Sequence, residues 1–198
     1  MPAASEIQSR IISALSHDVL ASVRHVALYA DAISDERKDP DAVDKYASRL
    51  VKKSEELTEM VLAARLLAQT ATHQPKPQEI VLSHLAQELG IPCEPGVSDA
   101  SAAKVSCDVQ MLHFALDAFA KLYPASQQAN MLQLKADCIM MTLRAAPPSD
   151  DADAAVDAVR EALKLVVDLA VAAHKGSNLH EVEGRPLATI HLALIQPD

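Results

Sequence analysis

Apolar residues recur every seventh position over the first seventy residues and only in short bursts beyond them. Ile12, Val19, Val26 and Ile33 form one such row, with Leu15 and Ser22 in the alternate positions, which is the a/d seam of a long amphipathic helix. A second row runs through Val43, Leu50, Leu57, Ala64 and Ala71, with Ala47, Ser54, Val61 and Ala68 between them. The polar segment Asp35 to Ala42 separates the two, and within it Asp39-Pro40-Asp41 stops one helix and restarts another. Ser5 with Gln8 has the form of a capping box, so the first helix is expected from Ser5 to about Ser34 and the second from about Asp41 to Thr70. Joined by a short loop they make an antiparallel hairpin. A lone hairpin leaves one flank of each stripe uncovered, and pairing two chains into a four-helix bundle covers it. A homodimer is therefore expected.

The pattern changes after the proline-rich stretch 72–78, THQPKPQ, which reads as a linker. Glu79 to Leu82 predicts a strand, Ser83 to Leu89 a short helix, and 91–107 hairpin or loop material around a second strand pair. Asp108 to Leu122 predicts a helix with Leu112, Ala115, Leu116 and Phe119 as its buried side. Met131 to Arg144 alternates as a strand, followed by turn signals at Pro147-Pro148-Ser149 and an acidic loop to Asp153. A long apolar helix from about Ala154 stops at Gly176, and Leu187 to Gln196 closes as a strand. The fold class is α+β: the hairpin, residues 1–72, precedes an α/β sandwich, residues 79–198, with two or three helices on a mixed sheet.

Composition narrows the function. Lys+Arg 18 against Asp+Glu 27 gives a net charge of −9 with no basic run, which argues against nucleic acid and anionic membrane as partners. No signal-like apolar region begins the chain, and a cytoplasmic protein without a membrane segment is expected. Three scattered cysteines give neither a disulfide framework nor metal-ligand spacing. Four widely separated glycines cannot build a phosphate-cradling loop.

His17 is the candidate chemistry. It lies about 140 to 160° around the helix from Ile12, Leu15 and Val19, so burying the seam turns the imidazole to solvent, with Asp18 beside it. Arg10, Ser13, Ala21 and Arg24 share that side, and Leu20 and Leu28 flank it as an apolar strip. His25 is a weaker second candidate. His113 and His174 read as packing or surface residues, and His73, His84, His180 and His191 lack ligand spacing.

These residues carry a resemblance. Ser16-His17-Asp18 resembles the H box of two-component histidine kinases. Ser106-Cys107-Asp108 followed by Leu112, Leu116 and Phe119 resembles the approach to their N box. Leu165 to Gly176 resembles the late helix with its AHGG-like end, and the closing TIHLALIQ resembles the last strand of the catalytic domain. The layout is thus similar to a dimerisation and phosphotransfer hairpin followed by a catalytic-like domain. The departures matter as much. Ala118 and Leu122 stand where the N-box asparagines hold magnesium and phosphate, Glu161 and Leu163 stand in the glycine-rich box, and PPSDDADAA replaces the DxGxG loop. A degenerate second domain behind a phosphorylatable histidine resembles the histidine phosphotransferases of ChpT type, although Ala21-Ser22-Val23-Arg24 lacks the proline and glycine that usually follow the histidine there.

The resemblance implies a phosphohistidine phosphotransferase that is not an ATP-dependent kinase. His17 takes phosphate from an aspartyl-phosphate receiver domain, or from a hybrid kinase's receiver, and passes it to another. Asp18 orients the ring or takes up its proton. Ser13, Leu20, Ala21, Arg24 and Leu28 meet the response-regulator receiver. No cofactor is expected in this chain, because Mg2+ sits in the receiver's own acidic pocket. The alternative is a non-catalytic, pseudokinase-like interaction protein that regulates a kinase or response regulator.

Overall fold

A computed structural model of the chain describes residues 4–94, 103–123, 130–134, 138–145, 157–174, 176–182 and 185–195. The class is α+β, with five helices and one antiparallel sheet among the described residues. The acidic loop Ser149 to Asp153 and the PPSDDADAA segment lie outside them. The chain divides into two compact units, Met1–Arg65 with Ala154–Ala162, and Leu66–Asp153 with Leu163–Asp198.

The first unit is built on α1 (Ala4–Asp35) and α2 (Pro40–Thr72), the end of which belongs to the second unit. Helix α1 begins at Ala4, so Ser5 lies inside it rather than ahead of it. Asp39 starts α2 as expected: its Oδ1 accepts from the backbone N–H of Asp41 and Ala42 at 3.1 and 3.2 Å, and Pro40 takes the first helical position, where no N–H is needed. Ser22 meets Met60 (3.9 Å) and Tyr29 stacks on Tyr46, so the helices run antiparallel. On α1 the expected seam is buried at Leu15 and Ser22, half-buried at Val19, Val26 and Ile33, and exposed at Ile12. On α2 the face differs from the expected row. Met60, Ala63 and Leu67 are buried, whereas Val61 and Ala68 are exposed. The run Val61-Leu62-Ala63-Ala64 is apolar around most of a turn, so its periodicity alone does not fix the buried side.

The second unit holds β1 (Gln78–Val81), α3 (Leu82–Leu89), β2 (Lys104–Cys107), α4 (Val109–Leu122), β3 (Met131–Leu134), β4 (Cys138–Arg144), most of α5 (Asp157–His174), β5 (Gly176–Val182) and β6 (Arg185–Ile195). The strand order is β1-β2-β6-β4-β3, with β5 paired to β6 as well. Every named pairing is antiparallel, which corrects the mixed sheet expected; among the described residues the one parallel contact is an isolated bridge from Cys93 to Leu132. Met131 to Arg144 is two strands rather than one. Both arms alternate, and Lys135-Ala136-Asp137 between them carries no glycine or proline to mark the reversal. Strand β5 was not expected at all.

Alternation along β6 sets the core. Pro186, Ala188, Ile190 and Leu192 are buried, and Arg185, His191 and Ala193 are exposed. Ile139, Met141 and Leu143 of β4 and Val105 and Cys107 of β2 continue the buried face. Helices α4 and α5 contribute Leu112, Ala115, Phe119, Val166, Val167 and Ala170, all fully buried. The opposite face of the sheet is mixed, with Ser106 of β2, Cys138 and Met140 of β4, and Thr189, His191 and Ala193 of β6 on it.

Among the described residues, two glycines hold positive φ. Gly90 (φ 65°) closes α3, and its N–H bonds back to α3 carbonyls, with open space where a Cβ would stand. Gly176 (φ 139°) opens β5, and a Cβ there would collide with the Thr189 carbonyl of β6. Gly90→Ala is therefore expected to cost about 1 kcal/mol, and Gly176→Ala, strained in both φ and contact, about 2 to 4 kcal/mol. Urea denaturation of the two variants checks the order, and equal or reversed losses would contradict the register of β5 on β6.

Candidate functional site

Burial of Leu15 and Ser22 fixes the rotation of α1, and the fixed rotation turns His17 outward. The His17 side chain is 83 % exposed and that of Asp18 44 %. The His17 Nδ1 lies 3.1 Å from Asp18 Oδ1. An ionised carboxylate only accepts, so the ring proton belongs on Nδ1 and the lone pair on Nε2. Both groups are open to water, so the contact orients the ring more than it stabilises the fold. Ser16 takes no part, because its hydroxyl donates to the Ile12 carbonyl at 2.8 Å. The arrangement engages Nδ1 with the neighbouring carboxylate and leaves Nε2 of an exposed ring available.

The five residues expected around His17 fall within about 60° of it on the helix. Ser13 and Arg24 are exposed, Leu20 and Leu28 are each 59 % exposed, and Ala21 is half-buried. Ile12 and Val23, about half exposed, extend the apolar surface away from this strip. The Arg10 side chain lies outside what is described. His25 stacks on Tyr29, which stacks on Tyr46 of α2, with ring centroids 6.3 and 6.4 Å apart. That ladder gives His25 a packing role on the α2 side of the helix.

A second cluster escaped the sequence reading. Asp108, the N-cap of α4, accepts from the Met111 N–H at 3.1 Å through Oδ1. Its Oδ2 accepts from His73 Nε2 at 2.8 Å and from the Lys76 N–H at 2.6 Å. The Asp108 N–H in turn donates to His174 Nε2 at 2.9 Å, which puts the His174 proton on Nδ1, where it faces the Ala170 carbonyl at 3.0 Å. Burial works against the charge on Asp108, but the bonds from Lys76, His73 and Met111 outweigh it and hold the carboxyl below its ordinary 3.8. Next to it the Cys107 thiol is pushed up to about 11, by burial first and then by Asp108 and Glu88, and stays neutral. The local signal was available only for the cap; the histidine partners lie 35 and 66 positions away along the chain.

The N-box resemblance can be tested on side-chain chemistry. Ala118 is fully buried and Leu122 half-buried on α4, and neither carries an oxygen or nitrogen donor. Glu161 is exposed on α5 and Leu163 buried. These positions do not fit a magnesium nucleotide. Among the described residues no group of three or more His, Cys, Asp or Glu is placed to hold a metal ion.

Comparison with known proteins places this geometry in a fold. No family profile matches the sequence, and no curated protein matches it. Among solved structures, the Acinetobacter baumannii histidine kinase AdeS superposes with a TM-score of 0.52 at 14 % identity, covering 91 % of this chain and 98 % of that one. The histidine kinase ThkA, in complex with the response regulator protein TrrA, superposes with a TM-score of 0.59 at 10 % identity over 96 % of this chain. The chain has a histidine-kinase-like fold. It spans 63 % of the ThkA chain. Within this histidine-kinase-like fold, the His-Asp pair lies on the first helix of the hairpin, and the Asp108 cluster lies at the start of α4 in the sheet-bearing unit.

Asp108 gives this unit a signed pH dependence. A carboxyl held below its unfolded value adds stability in full above about 3.8, and that contribution is lost as the pH falls through the lower folded value. Wild-type stability is expected to fall in that acid window, and Asp108→Asn is expected to flatten the fall. Asp108→Ala at neutral pH should cost about 2 to 4 kcal/mol, from the lost cap and the unpaired His73 and Lys76 donors. Chemical denaturation as a function of pH measures both, and an unchanged acid limb in Asp108→Asn would contradict the assignment.

Proposed function

We propose that the chain is a histidine phosphotransfer protein of a two-component phosphorelay, of ChpT type, which accepts phosphate on His17 from one receiver domain and delivers it to another without binding ATP. The observation that carries this reading is the solvent-facing His17, its Nδ1 held by Asp18 and its Nε2 free, on the first helix of a histidine-kinase-like fold. In the transfer, Nε2 attacks the phosphorus of the receiver's aspartyl phosphate. The P–N bond forms as the P–O bond breaks, and the aspartate carboxylate leaves with the bonding pair. The ring becomes a phosphoimidazolium whose Nδ1 proton faces the negative Asp18. The reverse reaction loads the next receiver. Magnesium belongs to the receiver's acidic pocket, and the side chains at the N-box positions of this chain supply no ligand for it.

The partner reading draws on ThkA, whose structure holds a response regulator. Ser13, Leu20, Ala21, Arg24 and Leu28 would form the receiver contact. Residues 1–72 serve as the phosphotransfer and dimerisation hairpin, and residues 79–198 as a degenerate catalytic-like domain. The homodimeric four-helix bundle is supported by large apolar residues left open on both helices, among them Ile12, Val23, Val51, Val61 and Leu62, each 43 to 56 % exposed. The location proposed is the cytoplasm. By length and composition the segment Ile11–Asp35 is apolar enough to cross a membrane. It carries Asp18 and Arg24, however, and each charge at a bilayer centre would cost about 3 kcal/mol.

The test is to mix the protein with a phosphorylated receiver and follow the label. An acid-labile, base-stable label is expected on the wild type and none on His17→Ala. Transfer that persists in His17→Ala would overturn the site, and labelling directly from ATP would overturn the carrier reading. A protein that binds the receiver but never takes label would be the non-catalytic interaction protein instead. Leu20→Glu is expected to weaken receiver binding about tenfold without unfolding the hairpin, and unchanged affinity would remove the apolar strip from the contact.

A further inference from the structure

The outward face of the sheet is hollow at one place, and the strand register explains it. Ala193 of β6 is paired with Ser106 of β2 on one side and with Cys138 of β4 on the other. Three small side chains thus stand in one row across three strands. One pleat further along, His191 is paired with Met140, and these two long side chains wall the hollow at that end. Pro75 and Pro77 of the linker and Ala173 and His174 at the end of α5 complete a crevice of about 810 Å³, all of it within the second unit. That volume is within the range of small-molecule sites, roughly 300 to 1,000 Å³.

The chemistry of the lining selects the ligand. Among the described residues, Asp108 is the only carboxylate in the wall, and its two oxygens are already taken by Met111, His73 and Lys76. Both His174 nitrogens are engaged, and the Cys107 thiol is neutral. Lys104, the nearest cation along β2, lies outside the lining and faces Glu79 at 3.7 Å. Apart from His191, no charged or titratable group of the lining is left to balance a ligand's charge, so a charged molecule would give up hydration for at most one such partner, and a neutral one loses least. Ser106 and His191 make no side-chain hydrogen bond among the described residues, and both line the crevice.

We propose that this crevice is a binding site for an uncharged, mainly apolar small molecule bearing one hydroxyl or comparable polar group. Its apolar body would lie over Ala193 between Met140 and the two linker prolines, and its polar group would reach Ser106 or His191. The site is separate from His17, so the proposal stands whether or not the phosphotransfer reading does.

The probes are 2-naphthol and its anionic analogue 2-naphthoate, titrated into the full chain with the methionine methyl signals followed by NMR. Saturable shifts centred on Met140 are expected with 2-naphthol, with 2-naphthoate at least about tenfold weaker. Ala193→Phe, which fills the hollow from an exposed position, should abolish the shifts while leaving the melting temperature unchanged. In the unmodified chain, 2-naphthol should also slow alkylation of Cys138 but not of Cys93, which does not line the crevice. No saturable shift up to millimolar probe, equal binding of the carboxylate, full binding in a folded Ala193→Phe, or no protection of Cys138 would each overturn the proposal.

Discussion

Everything the first helix can do depends on which way it is rotated. Leu15 and Ser22 are 2 % and 4 % exposed, and a helix advancing about 100° per residue cannot bury them without lifting His17 into solvent. The carboxylate one residue on then fixes the ring tautomer, because an acceptor on Nδ1 leaves the lone pair on Nε2. Packing energy and imidazole orientation are thus coupled through a single rotation. The apolar seam that holds the helix to its partner is also the device that presents the imidazole.

The second unit combines the sheet-and-helix architecture of a histidine-kinase-like fold with side chains that do not suit a magnesium nucleotide at the positions considered. Its sheet is continuous from β1 to β3, and α4 and α5 bury full apolar faces. Yet the α4 positions that resemble the nucleotide-binding asparagines are an alanine in the core and a half-buried leucine. Hydrophobic burial maintains the fold irrespective of ligand chemistry. The polar investment of this unit lies elsewhere, in Asp108, which caps α4 and ties the His73 to Lys76 segment to it.

Much of this was legible in the sequence where the signal is local. The seam of α1, the stop and restart at Asp39-Pro40, the start of α4 beside Asp108 and the outward His17 all follow from spacing and capping. What escaped depends on distant pairings. Strand β5 has only Leu179 and Val182 as apolar residues, so its strand character comes from hydrogen bonding to β6 rather than from its own pattern. The β3 and β4 arms merge in the sequence because nothing between them marks a turn. The hollow over Ala193 exists only through the registers of β2 and β4 on β6, which no single strand discloses.

On the proposed function, His17 carries phosphate on Nε2. The most direct measurement is 31P NMR of the 15N-labelled protein after phosphorylation with the small donor phosphoramidate. One phosphohistidine resonance, coupled to a single ring nitrogen identified as Nε2 of His17 and absent from His17→Ala, is the predicted result. A resonance coupled to Nδ1, one that survives in His17→Ala, or no phosphohistidine signal at all would contradict it.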